Sequence, residues 1–245
     1  MKIYVLLIVL LAEGFSTKAQ QDTGGVQPSR ESIACHARRV KITEPPYNLL
    51  KVKTLIALIH STDDQEILDQ KKYLSLSFRE KYTYHMIHGE TYSQNCDAIP
   101  DILEEDKKIF AQLPDIFGEY SWSERQLTFF RANRDSVISL MRSSINADHQ
   151  VGLNFKSVMV EINANEMIPL LIRTYQMNHN DHDILTVLML LMKNNEYPEF
   201  MLSSSYKKLY ADRESSYSSY LAFNKANQDL IIKRALDFYH GLHKE

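Results

Sequence analysis

Apolar residues recur every three or four positions along most of this chain, which is the spacing of helices with one buried face. The pattern extends from a first predicted helix at residues 48–59 to a last one at residues 224–240. Residues 155–162 and 166–175 predict two further helices with short links. Residues 184–192 are apolar on every side, so they predict a helix at the centre of the core.

Two short motifs mark where predicted helices begin. Ser77 is followed three residues later by Glu80, and Ser123 is followed three residues later by Gln126. In such a capping box, each of the two side chains accepts a hydrogen bond from a free backbone N–H at the start of the helix. We therefore expect helices to start directly after Ser77 and Ser123.

Three other segments are assigned from residue type. Pro100 suits a first helical turn, and the apolar residues at 102–110 follow at helical spacing, so this segment predicts a helix. Residues 203–219 are rich in Ser and Tyr and predict an irregular segment. A short helix is expected to begin at Pro198.

Glycine is scarce, which bears on the fold class. The 245 residues include seven glycines and no Asn-Gly or Asp-Gly pair, the usual signal of a β-hairpin. We therefore predict an all-α (mainly α) fold, in which antiparallel helix pairs build a single domain over residues 35–245.

One helix pair resembles a known repeat. The run Met167-Ile168-Pro169-Leu170-Leu171-Ile172 is similar to the Ile-Pro-x-Leu-Ile run of HEAT-type helical repeats, and an apolar helix follows it. The likeness covers residues 165–194, and no second copy recurs at a fixed period. It implies a layer of helices that can present a binding face, and it implies no catalysis.

The first nineteen residues have the features of a cleavable secretory signal peptide. Lys2 is positively charged, residues 3–12 are an apolar run, and the small residues Thr17 and Ala19 suit cleavage after Ala19. An uncleaved anchor is disfavoured, because ten residues are too few to span a bilayer and a polar segment follows. The protein is therefore predicted to be exported.

The segment after the predicted cleavage site is polar. Residues 20–34 include Gly24, Gly25 and Pro28 and predict a flexible leader. The chain contains no Asn-x-Ser/Thr sequon, which favours a bacterial exported protein. The expected location is periplasmic or extracellular.

Charge and hydropathy exclude several classes of partner. Without Lys2, Glu13 and Lys18, the formal net charge changes from −3 to −4. A chain of this size that is so close to neutral gives no basis for binding nucleic acid or an anionic membrane. After the signal peptide, the longest apolar stretch is too short to cross a membrane.

The two cysteines, Cys35 and Cys96, leave two interpretations open. In an oxidising compartment they could form a disulfide, which would close a loop of about sixty residues. They could equally be two reduced, buried thiols. Their wide separation excludes a CxxC redox or zinc motif.

The sharpest candidate for metal binding is the group His85, His88 and Glu90. The two imidazoles are three residues apart, so they share a helix face, and a carboxylate follows. Zinc prefers such nitrogen and oxygen ligands. The alternative is that all three are ordinary polar residues, because the HExxH glutamate and a clear fourth ligand are missing.

A second polar cluster spans residues 178–183. Its carboxylates could hold a cation, and its two histidines could change charge near pH 6. The simpler interpretation is a loop between helices in which Asp181 or Asp183 caps the next helix.

Four tyrosines are interleaved with serines near the C-terminus: Tyr206, Tyr210, Tyr217 and Tyr220. They could form an exposed aromatic surface for contact with a glycan or protein, because tyrosine combines a large apolar area with a polar tip. Alternatively, they pack this segment onto the core.

The motifs predict no catalytic residue and no cofactor. The chain has neither a Gly-x-Ser-x-Gly elbow nor a glycine-rich phosphate loop. The leading hypothesis is a non-catalytic exported protein whose helices contact another protein or a cell-envelope component. The alternatives are a metal-dependent hydrolase centred on His85, His88 and Glu90, and a carrier with a ligand cavity among residues 184–192.

Overall fold

The computed structural model describes residues 27–60, 65–93, 103–211 and 218–242, and it confirms the mainly α-helical fold. The helices are α1 (Arg30–Arg39), α2 (Leu49–Ile56), α3 (Gln70–Leu74), α4 (Phe78–Ile87), α5 (Glu124–Ala132), α6 (Arg134–Asp148), α7 (Leu153–Glu161), α8 (Ile168–Met177), α9 (Asp183–Asn194), α10 (Pro198–Met201), α11 (Ser204–Tyr210) and α12 (Lys225–Leu242). The strands are β1 (Thr91–Tyr92), β2 (Lys108–Phe110), β3 (Tyr120–Ser121) and β4 (Tyr220–Ala222).

Helix α9 is the centre of the main core, as its all-round apolarity predicted. Its residues from Asp183 to Met192 are all buried. It packs against α7, α8, α10 and α12 and against strand β2. The pair α8 and α9 corresponds to the segment that resembles a HEAT unit.

A smaller apolar cluster holds α2, α3 and α4 together. Its buried members are Val52, Leu68, Tyr73, Leu76 and Tyr84. The Tyr73 and Tyr84 rings meet edge to face with their centroids 6.2 Å apart, a favoured aromatic geometry.

Both predicted capping boxes are present. The Ser77 hydroxyl accepts from the Glu80 N–H, and the Glu80 carboxylate accepts from the Ser77 N–H. Ser123 and Gln126 make the same reciprocal pair at the start of α5. Each box satisfies two backbone donors that a helix start would otherwise leave free.

The predicted helix at residues 102–110 is wrong in its described part. Residues Glu105–Lys107 form one 3-10 turn, and Lys108–Phe110 form β2, which pairs antiparallel with β4. This segment forms a strand because it pairs with β4, where Lys108 lies opposite Ala222. Since β4 lies far along the chain, the local sequence does not reveal this pairing. Residues 94–102, including Pro100, lie outside the described residues.

Residues 203–219 are also more ordered than predicted. Ser203 caps α11 by accepting a hydrogen bond from the Tyr206 N–H at 3.1 Å. Residues 212–217 lie outside the described part of the chain.

At the N-terminus, the first helix begins inside the range predicted to be a flexible leader. Helix α1 begins at Arg30, and the Ser29 hydroxyl accepts from the Ser32 N–H. The predicted signal peptide, residues 1–19, lies outside the described residues. Within the described ranges, no helix is both long and apolar enough to cross a membrane.

Candidate functional site

A cleft of about 240 Å³ lies where α1, α7, α8 and α9 come together, and we name it the polar cleft. Its lining consists of Arg38, Lys41, Ile42, Thr43, His149, Gln150, Val151, Gly152, Thr174, Asn178, Asp181 and Ile184. A concave site with several convergent polar groups is the default candidate for ligand binding in a protein of unknown function.

One wall of the polar cleft is fixed by backbone contacts between the segment after α1 and the start of α7. The Leu153 N–H donates to the Lys41 carbonyl at 2.8 Å, and the Gly152 N–H donates to Thr43 Oγ1 at 3.0 Å. The Asn154 side chain binds the N–H and the carbonyl of Thr43, at 2.9 and 2.7 Å. These bonds satisfy N–H groups at the start of α7 and hold the wall rigidly.

Gly152 is required by this close approach. A Cβ atom at Gly152 would lie 2.2 Å from the Thr43 backbone nitrogen and 2.4 Å from its hydroxyl oxygen. Both distances are far inside van der Waals contact, so any larger residue would push this wall outward.

The floor of the polar cleft contains an ion pair between a buried lysine and a carboxylate that is 23 % exposed. Lys156 on α7 is 1 % exposed, and its Nζ lies 2.5 Å from Oδ1 of Asp181, which lines the cleft. Loss of solvent around Asp181 raises the pKa of its carboxyl, against the opposing effect of Lys156. The Asp181 carboxylate also accepts a hydrogen bond from the Asp183 N–H, so it satisfies a donor at the start of α9.

A second buried charge network lies beside the floor. Arg39 Nε contacts both carboxylate oxygens of Asp183 at 3.1 Å, and its NH1 lies 3.1 Å from Glu105. The Arg39 guanidinium also stacks 3.9 Å above the Phe110 ring, and His36 Nδ1 lies 3.2 Å from Glu105. Arg39 thus serves two carboxylates with one positive charge, so the network of Arg39, Asp183 and Glu105 keeps a formal charge of −1 when His36 is counted as neutral.

Two basic side chains at the mouth of the polar cleft, those of Arg38 and Lys41, have no acidic partner among the described residues. The exposed Arg38 guanidinium makes no hydrogen bond or ion pair with any residue that the structure describes. Lys41 Nζ contacts the neutral Gln150 amide at 3.2 Å. The two positive charges of Arg38 and Lys41 exceed the one uncompensated negative charge of the Arg39 network, so this region keeps a net positive charge.

The predicted metal ligands are each engaged elsewhere. His85 is fully buried, and its Nε2 lies 3.0 Å from the Tyr73 hydroxyl. His88 Nε2 lies 2.6 Å from the Glu66 carbonyl oxygen. Among the described residues, no group of three His, Cys, Asp or Glu side chains is placed to hold a metal ion. The predicted set of His85, His88 and Glu90 is therefore not assembled as a ligand group.

Glu90 is instead the acceptor of a buried hydrogen-bond network. Its carboxylate, which is 0 % exposed, accepts from the Tyr84 hydroxyl at 2.7 Å and from Ser123 and Arg125 at shorter distances. The Arg125 guanidinium lies 4.1 Å above the Tyr73 ring. The network fastens α3, α4 and α5 together.

The polar cluster at residues 178–183 joins the floor of the cleft to the core. Its His182 ring stacks on Phe223 with centroids 3.4 Å apart, and its Nδ1 lies 3.1 Å from the Lys108 carbonyl oxygen. This geometry suits a neutral imidazole whose Nδ1–H is the donor. Burial lowers the pKa of His182 to about 4.

Of the four predicted surface tyrosines, one is clearly exposed. Tyr220 is 41 % exposed, whereas Tyr210 is 7 % exposed and donates its hydroxyl to a backbone carbonyl at 2.8 Å. The Tyr206 ring is half-buried and packs edge to face on Phe200. Tyr217 lies outside the described residues, so the aromatic surface stays a prediction.

Cys35 is buried, and its thiol is unpaired in the described structure. Burial raises the pKa of this thiol to about 11, which disfavours the reactive thiolate. Cys96 lies outside the described residues, so the disulfide with Cys35 also stays a prediction.

Comparison of the chain with protein-family models, with curated proteins and with solved structures gives no match. The function therefore has to be argued from the geometry of the site.

Proposed function

We propose that this protein is an exported, non-catalytic binding protein whose polar cleft takes a small polar ligand with an anionic group. The observation that carries the proposal is the Arg38 guanidinium, which has no partner among the described residues and lines the mouth of the cleft together with Lys41. A guanidinium presents a fork of N–H donors that matches a carboxylate or phosphate.

The polar groups of the lining suit a small polar ligand. Gln150 and Asn178 offer amide donors and acceptors, and Ile42, Val151 and Ile184 add apolar surface beside them. The hydroxyl of Thr43 and the carboxylate of Asp181 already accept internal hydrogen bonds. These two groups therefore serve the architecture of the cleft, which favours binding over catalysis.

The polar cleft lies at the start of α9, whereas the carrier alternative placed its site along the whole apolar part of this helix. The carrier alternative placed a ligand cavity among residues 184–192, but those side chains are at most 5 % exposed and pack in the main core. Ile184, at the start of that segment, lines the polar cleft. The hydrolase alternative has less support, because His85, His88 and Glu90 do not line this cleft.

Calorimetric titration with inorganic phosphate and with succinate tests the proposal. We expect at least one of them to bind the mature protein, and the Arg38→Gln/Lys41→Gln variant to bind it about tenfold more weakly, because charge-assisted hydrogen bonds are lost. Lys72→Gln, an exposed lysine on α3, is the matched control and should leave binding unchanged. Equal affinity of wild type and the double variant would contradict the proposal.

Native mass spectrometry of protein isolated from its own source tests the same site without choosing a ligand. A bound small molecule should appear as a mass excess in wild type and be lost in Arg38→Gln/Lys41→Gln. Sequencing of the protein's N-terminus tests export, since a mature chain that starts at Gln20 is expected. A chain retained in the cytoplasm with Met1 in place would refute export.

Contact with another protein or a cell-envelope component is the second candidate function. It is supported by exposed leucines at the two ends of α2, where Leu50 is 81 % and Leu58 is 56 % exposed. In a pull-down from the native envelope, Leu50→Asp/Leu58→Asp should lose a partner that Leu202→Asp, altered at another exposed leucine, retains. Equal recovery of the partner by both variants would argue against this face.

A further inference from the structure

A second cleft is lined by other residues of α8. It has a volume of about 340 Å³ and is formed by α6, the 3-10 turn Asn165–Met167, α8 and α12. We name it the arginine cleft, and its lining consists of Arg142, Glu166, Pro169, Leu170, Arg173 and Tyr239. None of these residues lines the polar cleft.

The acid in the arginine cleft is already neutralised. Both oxygens of Glu166 accept hydrogen bonds from Arg134, at 2.6 and 2.7 Å. Arg134 also donates to the carbonyls of Ile162 and Asn163, at the end of α7. The pair of Arg134 and Glu166 is therefore an internal clamp between α6 and the turn before α8.

The two lining arginines make their direct contacts with neutral groups, and the charge of Arg142 also acts on the nearby Glu166 carboxylate. Arg142 NH2 meets a thioether, Met167 Sδ, at 3.9 Å, and a thioether is a weak acceptor. Arg173 NH2 meets the neutral Asn146 amide oxygen at 3.3 Å. Within the described ranges, neither guanidinium has a carboxylate within ion-pair distance. The guanidiniums of Arg142 and Arg173 therefore line a cleft whose lining carboxylate, that of Glu166, is already paired with Arg134.

The lining residues other than Glu166 and the two arginines supply apolar surface. Leu170 is 8 % exposed, and Pro169 and the Tyr239 ring add further carbon surface. The volume falls within the range of about 300–1,000 Å³ that small-molecule sites occupy. A fitting ligand places an anionic group between Arg142 and Arg173 and its carbon body on the apolar surface.

We propose that the arginine cleft binds an organic carboxylate that carries an apolar chain. The carboxylate accepts hydrogen bonds from the Arg142 and Arg173 guanidiniums, which are geometrically suited to carboxylates. The chain covers Leu170, Pro169 and the Tyr239 ring, where it leaves water. This site is independent of the anion site proposed at the polar cleft.

Titration calorimetry of the full mature chain with octanoate and with acetate tests this assignment. Octanoate should bind at least tenfold more tightly than acetate, because each buried CH₂ group contributes about a fourfold gain in affinity. The Arg142→Gln/Arg173→Gln variant should lose about tenfold in octanoate affinity. Arg142→Lys/Arg173→Lys keeps the charge and loses the fork, so its loss should be smaller.

Matched variants separate this site from the polar cleft and from misfolding. Arg38→Gln/Lys41→Gln should bind octanoate as wild type does, and circular dichroism should show that all variants keep the helical fold. Absence of octanoate binding to wild type would overturn the proposal, as would equal affinities for octanoate and acetate. Undiminished octanoate binding by Arg142→Gln/Arg173→Gln would place the ligand elsewhere and also overturn it.

Discussion

The ammonium of Lys156 lies 2.5 Å from Asp181 Oδ1, and this contact ties α7 to the loop that precedes α9. A lysine that is 1 % exposed has lost nearly all of its hydration, so it needs the Asp181 carboxylate as a counter-ion. The same carboxylate lines the polar cleft. The packing of the core and the electrostatics of the proposed ligand site are therefore linked through one ion pair.

Asp181→Asn should be strongly destabilising. It leaves the buried Lys156 charge without its counter-ion, and loss of one member of a buried pair typically costs about 3–5 kcal/mol. Urea unfolding followed by circular dichroism measures this loss. Lys156→Met/Asp181→Asn should recover most of it, because no buried charge remains. A single variant as stable as wild type would contradict this account.

Stability should fall as the pH falls from about 6.5 to about 4. The folded-state pKa of His182 is about 4 because of burial, below the unfolded value of about 6.5, so in this window only the unfolded chain gains a proton at this site. The contribution is at most about 3.5 kcal/mol, at about 1.4 kcal/mol per pKa unit. His85, whose pKa burial also lowers, acts in the same direction.

Urea unfolding at several pH values tests this dependence. His182→Gln should show a shallower loss between pH 6.5 and 4 than wild type. His149→Gln changes an exposed histidine at the polar cleft and should keep the wild-type slope. The same slope in His182→Gln and wild type would show that His182 does not contribute.

The two capping serines should differ in their contribution to stability. Ser77→Ala removes one cap and should cost about 1 kcal/mol. Ser123→Ala removes a cap and also takes a donor from the buried Glu90 carboxylate, so it should cost about 2–3 kcal/mol. Denaturant unfolding of the two variants compares them directly. Equal losses would show that the Ser123–Glu90 bond adds nothing to stability.

Gly152→Ala should damage the wall of the polar cleft. The added methyl group meets the Thr43 backbone, and such overpacking costs about 1–3 kcal/mol. Affinity for the cleft ligand should fall as well. Gly241→Ala is the matched control, because nothing lies within 4 Å of its Cβ position in α12, and it should be neutral or stabilising by up to about 1 kcal/mol. Thermal unfolding of both variants checks the difference.

Features fixed by neighbouring residues could be predicted from the sequence. The capping boxes at Ser77 and Ser123 need three residues of spacing, and the central position of α9 follows from its own composition. Strand β2 could not be predicted in this way. Its apolar residues Ile109 and Phe110 also suit a helix, and they form a strand because β4 lies beside them.

The candidate site was harder to predict, for a related reason. Arg38 and Lys41 look like the basic residues that commonly end a helix, and Lys156 looks like a surface lysine on α7. Only the packing of α1, α7 and the loop before α9 shows which of these charges have partners. The one local signal was the polar run at residues 178–183, which contributes Asn178 and Asp181 to the cleft.

The pairing of β2 with β4 has a consequence for how the chain acquires its structure. Ile109 pairs with Leu221, so this ladder cannot close until the chain as far as β4 is available. Contacts between such distant positions slow folding, because a long loop must close before they form. If the protein is exported, as proposed above, late closure of this ladder keeps the chain extended for longer and so favours its passage through a translocation channel.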